Sequence, residues 1–173
     1  MDNKKIFFGL LLTASLFADN IDSAFGYTVN TELTDKNLKI VEQDDQETVY
    51  KLDHKPVGDL TNFYLTANTH GKQIISSIEA KSMVIQKKEC NDKIGSLRSA
   101  LKEKYGTSRI STNTNRLGAE CKTAYNKDRN RILGSKLRFY VKSMDALTYS
   151  REVWNEWRIK KATTGDASKY KGF

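Results

Sequence analysis

The sequence lacks most of the residues and motifs on which enzyme chemistry is built. Its 173 residues include only two histidines, the side chain that most often serves as a base or metal ligand near neutral pH. Motifs for a zinc protease, a nucleophile elbow, a phosphate-binding loop, a dinucleotide-binding glycine pattern and a calcium loop are also missing. The sequence therefore predicts no metal, no cofactor and no catalytic residue, and it favours binding over catalysis.

Cysteine is scarce as well. Cys90 and Cys121 are the only two, and they lie 31 positions apart. A nucleophile or metal ligand needs a base or a second ligand at a recognisable spacing, and neither cysteine has one. Exported compartments favour oxidation. We predict a structural disulfide between these two residues, for which loop-closure entropy gives about 3–4 kcal/mol of stabilisation.

Long apolar runs are absent except near the N-terminus. Two lysines precede the uncharged run Ile6–Phe17, and small residues follow as far as the triplet Ala24-Phe25-Gly26. A positive start, a short apolar segment and a small-x-small site make up a secretory signal peptide, whereas a membrane-spanning helix needs roughly 20 apolar residues. Residues 1–26 are therefore predicted to be a signal peptide, and a cut after Ala18 is the alternative.

Export predicts that the mature chain works in the periplasm or outside the cell, without a transmembrane anchor. Residues 27–161 are expected to form a single domain. Residues 27–47 are mostly polar and are predicted to be an extended lead-in outside the core. Residues 162–173 are small and polar until their end and are predicted to be a flexible tail.

Charge is distributed unevenly along the chain. Residues 27–80 carry 5 basic and 9 acidic side chains, whereas residues 81–173 carry 22 basic and 9 acidic ones. This asymmetry predicts a basic face that attracts anionic partners. The alternative is that the excess of lysine simply keeps an exported protein soluble.

Local periodicity predicts a small α+β domain. Two runs that alternate apolar and polar residues, 62–67 and 74–80, flank a turn containing Gly71, which is typical of a β-hairpin. From Cys90 to Tyr105, apolar residues recur every three or four positions, as in an amphipathic helix, and Gly106 is placed to end it. We expect an antiparallel sheet with this one main helix packed on it.

The C-terminal third offers further elements. Residues 107–116 are predicted to be a loop, residues 136–142 a strand, and Ala146–Ser150 a neighbouring strand followed by a short amphipathic helix. The predicted core residues are Phe63, Leu65, Ile74, Ile78, Ile94, Leu97, Leu101, Leu137, Phe139 and Val141.

The strand over residues 136–142 is also the best candidate for a binding surface. Alternate residues of a strand share one face, so a tyrosine would lie among cations there. Such a tyrosine stacks on a sugar ring or base while the cations hold phosphate or carboxylate. A second basic cluster follows near residue 160, and the alternative is an ordinary solvated sheet face. The candidate anion- or partner-binding residues are Lys136, Arg138, Tyr140, Lys142, Arg158, Lys160 and Lys161.

Three functions remain open at this level. The first is an exported non-enzymatic binding protein, such as an inhibitor, an immunity protein or an accessory protein of envelope assembly, with another envelope or secreted protein as its partner. The second is a basic protein that binds an anionic polymer or lipid surface, for instance cell wall, lipopolysaccharide or nucleic acid. The third is a small secreted hydrolase that uses His54 or His70 beside Glu79, which requires these groups to converge.

Overall fold

The computed structural model describes residues 22–106, 109–111, 113–126 and 128–169. The predicted signal peptide up to residue 21, and residues 170–173 of the predicted tail, lie outside the described residues. The described chain is a small α+β domain with an antiparallel sheet, helices and one disulfide, as the sequence predicted.

Nine strands and two helices follow one another along the described chain. The N-terminal hairpin consists of β1 (Ser23–Ala24) and β2 (Tyr27–Thr28). The remaining elements are β3 (Lys39–Gln43), β4 (Glu47–Leu52), β5 (Asn62–Asn68), β6 (Ile75–Lys81), α1 (Lys87–Tyr105), β7 (Ile110–Ser111), β8 (Asn115–Tyr125), β9 (Ile132–Ser143) and α2 (Met144–Lys169). The main sheet has the order β3-β4-β5-β6-β9-β8-β7, and every neighbouring pair is antiparallel.

One face of this sheet carries the apolar core, because successive side chains of a strand point to opposite faces. The largest side chains buried on it include Phe63, Leu65, Ile78, Phe139 and Val141. Helix α1 covers the β8 and β9 side of this face and ends at Gly106, whose left-handed backbone (φ 71°) matches the predicted cap.

The disulfide joins α1 to the sheet. Cys90 lies in the first turn of α1 and is fully buried, and its sulfur is bonded to that of Cys121 on β8, with the two Cα atoms 6.0 Å apart. The predicted pairing is confirmed. β8 begins inside the predicted loop 107–116, which also contains β7, while residues 107, 108 and 112 lie outside the described chain.

The N-terminal segment belongs to the core, and the prediction that residues 27–47 lie outside it is wrong for its first part. Val29 is 2 % exposed, and Leu33 is buried as well. Phe25 packs edge-on against Phe63 and Phe139, with ring centroids 4.8 and 5.8 Å away. Phe25 falls within the predicted signal peptide, yet its ring is part of the core.

The β5–β6 hairpin predicted around Gly71 is present, with one shift of register. Thr66 pairs with Ser77 and Ala67 with Ile75, so β6 contains one extra residue at this point. A bulge of this kind moves the side chains beyond it to the opposite face. Ile75 is therefore buried in the core, and the predicted core residue Ile74 is only half-buried.

The C-terminal part differs most from the prediction. Residues 146–150 were expected to form a strand, but they lie in α2, which starts directly after β9 and continues through Lys169 into the predicted tail. The hydroxyl of Ser143 accepts a hydrogen bond from the backbone N–H of Ala146 (3.2 Å), which caps the helix N-terminus. Further along α2, the hydroxyl of Ser150 donates to the carbonyl of Gln46 in the β3–β4 turn (3.3 Å).

Candidate functional site

The sheet face opposite α1 is polar, and we call it the polar face. Alternate residues of β6, β9 and β8 form its centre, and the strand register places them directly opposite one another. The pairs across β9 and β8 are Lys142 with Arg116, Tyr140 with Gly118, Arg138 with Glu120, and Lys136 with Lys122. All four candidate residues of β9 therefore lie on one face, as predicted, and each is half-buried.

Glu79 of β6 is the negative charge that contacts three of the cations on this face. Its side chain is 11 % exposed, and Arg138 binds it through both Nη2 and Nε, the latter 3.2 Å from Oε2. The Nζ atoms of Lys81 and Lys142 lie 3.0 and 3.8 Å from the same carboxylate. On its other side, Arg138 donates from Nη1 to Oε1 of Glu120 (2.6 Å). Arg138, Lys81 and Lys142 are thus already paired with carboxylates of the same chain.

These contacts keep Glu79 ionised. Burial alone would raise its pKa, but the hydrogen bond and the charge of Arg138, together with Lys81, lower the pKa to about 2. For Arg138, burial acts to lower the pKa, and the contacts with Glu79 outweigh that effect and raise it. Glu79 is therefore a buried counter-ion rather than a group that exchanges protons near neutral pH.

Tyr140 lies among cations, as the sequence predicted. The guanidinium carbon of Arg138 is 5.2 Å and the ammonium of Lys142 5.9 Å from the centre of its ring. Across the strand, Gly118 makes room for that ring, because a Cβ at this position would lie 2.9 Å from the tyrosine oxygen. On the neighbouring strand, Lys81 covers the ring of Tyr64 at 4.8 Å. Aromatic rings and cations thus alternate over this face.

Two like-charge pairs also lie on this face. Lys122 is directly opposite Lys136, and Arg116 is directly opposite Lys142. Like charges in this arrangement destabilise a sheet. Within the described chain, neither Lys122 nor Lys136 has a carboxylate within ion-pair distance.

Two depressions adjoin β8. The smaller one, of about 190 Å³, we call the basic pocket, and its charged lining residues are Lys81, Lys122, Lys136 and Arg138, with Tyr125 beside them. The larger one, of about 380 Å³, has mixed charge because Glu120 and Arg98 both line it. Arg98 reaches it from α1 and donates to the carbonyl of Ala119, 3.3 Å from Nη2.

The remaining candidates, Arg158, Lys160 and Lys161, are exposed residues of α2. Arg158 lies over the ring of Trp154 at 4.9 Å, and Lys161 lies over that of Trp157 at 4.5 Å. No described contact joins these cations to the polar face, so the structure places the seven candidates on two separate surfaces.

The residues of the hydrolase hypothesis are not brought together. His54 packs against the rings of Phe25 and Phe63, with centroids 5.1 and 4.8 Å away. His70 stacks on Trp157 at 4.2 Å, and its Nε2 is buried without a hydrogen-bond partner. The described partners of Glu79 are cations, and none is a histidine.

Comparison of the chain with known proteins gives no match to a family model, to a curated protein or to a solved structure. Among the described residues, no three histidine, cysteine or acidic side chains are grouped so that they could hold a metal ion. The described helices are also too short or too polar to cross a membrane. Functional inference therefore depends on the two surfaces themselves.

Proposed function

We propose that the protein is an exported, non-enzymatic binding protein that attaches to another envelope or secreted protein through one face of the middle part of α2. We call this surface the α2 tip, formed by Trp154, Trp157, Arg158 and Lys161. An inhibitor, an immunity protein or an accessory protein of envelope assembly would act in this way.

The observation that carries this proposal is the composition and exposure of the α2 tip. Both tryptophans are half-buried, with a cation over each ring. Arg158 and Lys161 are exposed, and the four residues recur at spacings of three and four positions, so they share one face of the helix. Tryptophan and arginine are enriched among the residues that dominate binding energy in protein interfaces. The cations beside the two tryptophan rings suit a partner with an acidic surface.

Export is the second part of the proposal, and it implies a particular processing site. Ala24 is fully buried and Phe25 is 6 % exposed in the core. A cut after Gly26 would remove both from the mature protein. We therefore propose that the signal peptide is removed after Ala18, which leaves these residues in the folded chain. A disulfide suits an oxidising, extracytoplasmic compartment.

The test is capture of partners from envelope and culture-supernatant fractions at low and high salt. The wild-type protein is expected to retain one protein at high salt, and Arg158→Glu/Lys161→Glu is expected to abolish that retention. Lys39→Glu/Lys51→Glu is the matched control, because both lysines are exposed but lie on β3 and β4. Equal retention by the wild type and by Arg158→Glu/Lys161→Glu would contradict a role for the α2 tip.

A second candidate function is the binding of an anionic polymer or lipid surface through the polar face. The pair Lys122 and Lys136 favours it, since an anionic ligand would relieve the repulsion between these two lysines. Binding of this kind weakens steeply as salt increases, because it releases counter-ions. Retention at low salt only, with no defined protein captured, would support this candidate over the first.

A further inference from the structure

We propose that the basic pocket is a binding site for a phosphate group. The inference rests on the second candidate function, since it names the ligand chemistry of the polar face, and it is independent of the α2 tip. The pocket lies where β6, β9 and β8 are adjacent, and its charged lining residues are Lys81, Lys122, Lys136 and Arg138.

The size of the pocket suits a small group. Its volume of about 190 Å³ is below the range of about 300–1,000 Å³ that is usual for sites of drug-sized ligands. A phosphate with at most a short attached group fits such a space, whereas a nucleotide would extend beyond it.

The charge balance leaves the pocket cationic. Arg138 and Lys81 are matched by the carboxylates of Glu79 and Glu120. Lys122 and Lys136 have no such partner within the described chain, so these six groups together retain a charge of two positive. A phosphate ester carries between one and two negative charges near neutral pH, which matches this excess.

The geometry also favours a multidentate oxyanion. Lys122 and Lys136 face each other across the strands, so an anion between them replaces repulsion by two attractions. Arg138 uses three N–H donors on Glu79 and Glu120, which holds its guanidinium in place and leaves two of its five donors for a ligand. A phosphate offers at least three acceptor oxygens to such converging donors.

The direct test is calorimetric titration of the mature, oxidised protein with inorganic pyrophosphate in low salt. The double variant Lys122→Gln/Lys136→Gln is expected to bind at least about tenfold more weakly than the wild type, because two charged hydrogen bonds are lost. The matched control is Lys39→Gln/Lys51→Gln, which removes a lysine pair facing each other across β3 and β4, near the opposite edge of the sheet. This control is expected to bind as the wild type does.

Equal weakening in both double variants would show that net charge alone governs binding and would overturn the site. Absence of pyrophosphate binding to the wild type, together with no binding to vesicles containing phosphatidylglycerol, would overturn it as well. Vesicle binding that depends on Lys122 and Lys136 would identify the phosphate source as a lipid headgroup, and pyrophosphate binding with the same dependence would identify a soluble phosphate.

A second readout separates this site from the broader polymer-binding candidate. Polyglutamate is anionic but carries no phosphate. If it binds the wild type and the Lys122→Gln/Lys136→Gln variant equally while pyrophosphate binds neither, polymer binding stands and the phosphate site fails. The ligand-free melting temperature of this variant is expected to equal or exceed that of the wild type, because repulsion is removed. A lower melting temperature would contradict the like-charge argument.

Discussion

At the scale of single residues, Glu79 makes the stability of this protein depend on acid. Its pKa of about 2 in the folded protein lies below the ordinary value of 4.5. The carboxylate therefore stabilises the folded state above about pH 4.5, and this contribution is lost as the pH falls towards 2. A difference of this size corresponds to roughly 3 kcal/mol.

We expect Glu79→Gln to lower the free energy of unfolding by roughly 3 kcal/mol at pH 7 and to remove this part of the acid dependence. The measurement is denaturant unfolding of both proteins between pH 2 and 7. Glu47, whose pKa burial and Asp44 raise, acts in the opposite direction and is present in both proteins. Glu79 is the smallest of the causes that raise the pKa of Glu47, so the substitution changes this contribution little. A difference in the free energy of unfolding that stays the same from pH 2 to pH 7 would contradict the prediction.

Gly134 is a position where only glycine suits the backbone. Its φ of 146° is one that L side chains rarely adopt, and a Cβ there would lie 2.6 Å from the carbonyl oxygen of Ile85. That carbonyl is held in place by the N–H of Ser135 (2.8 Å). We expect Gly134→Ala to destabilise the fold by about 2 kcal/mol or more in denaturant unfolding.

Gly95 provides the matched control for this substitution. It lies within α1, and a Cβ there would meet nothing within 4 Å. Gly95→Ala is expected to stabilise the protein by about 0.5–1 kcal/mol, because alanine has the higher helix propensity. Equal effects of the two substitutions would show that the backbone of Gly134 is not constrained.

At the scale of elements, local patterns predicted what local interactions determine. The alternation on either side of Gly71 predicted the β5–β6 hairpin, and the apolar spacing from Cys90 onwards predicted α1. Ile74 was assigned to the core because the bulge in β6, a feature of pairing with β5, leaves no signature in the alternation. β8 was missed because its core-facing residues include the small Ala119 and the disulfide-bonded Cys121, which break the apolar alternation.

The start of α2 carries opposing local signals. Thr148 and Tyr149 have strand propensity, which favours the predicted strand. Ser143 at the N-cap and Asp145 in the first turn are typical of a helix start. The candidate site was predictable on β9, where residues share one face. The role of Glu79 as counter-ion of Arg138 was not predictable, because the two residues lie 59 positions apart in the sequence.

The disulfide is the covalent link between two elements, and its contribution can be measured. Replacement of both Cys90 and Cys121 by alanine is expected to lower the free energy of unfolding by about 3 kcal/mol, since the unfolded chain regains the freedom of the closed loop. Denaturant unfolding with and without reductant provides the measurement. Reductant should destabilise the wild type and leave the double variant unchanged, and a wild type insensitive to reduction would contradict the prediction.

At the scale of the whole molecule, the N-terminal hairpin defines how much of the chain the mature protein needs. A chain that starts at Tyr27 lacks the ring of Phe25 and the hydrogen bond from Val29 to the carbonyl of Asp22 (2.7 Å). We expect it to be about 3–5 kcal/mol less stable than a chain that starts at Asp19, the range found when a buried phenylalanine is lost. Denaturant unfolding of the two chains measures this difference.

The N-terminus of the protein isolated from cells provides the corresponding observation. The proposed processing after Ala18 predicts a mature protein that begins at Asp19, and N-terminal sequencing checks this directly. A mature protein that begins at Tyr27 and is as stable as the longer chain would show that the core does not require Phe25.

The position of β9 in the sheet has a consequence for the timing of folding. β9 comes from residues 132–143, close to the end of the chain, but it lies between β6 and β8 in the sheet. While the chain is being synthesised, β6 can pair with β5, but its other edge has no partner until residue 143 has left the ribosome. Because the pairing of β6 with β9 spans more than 50 residues, it closes late and slowly. The sheet therefore stays incomplete until most of the chain has been synthesised.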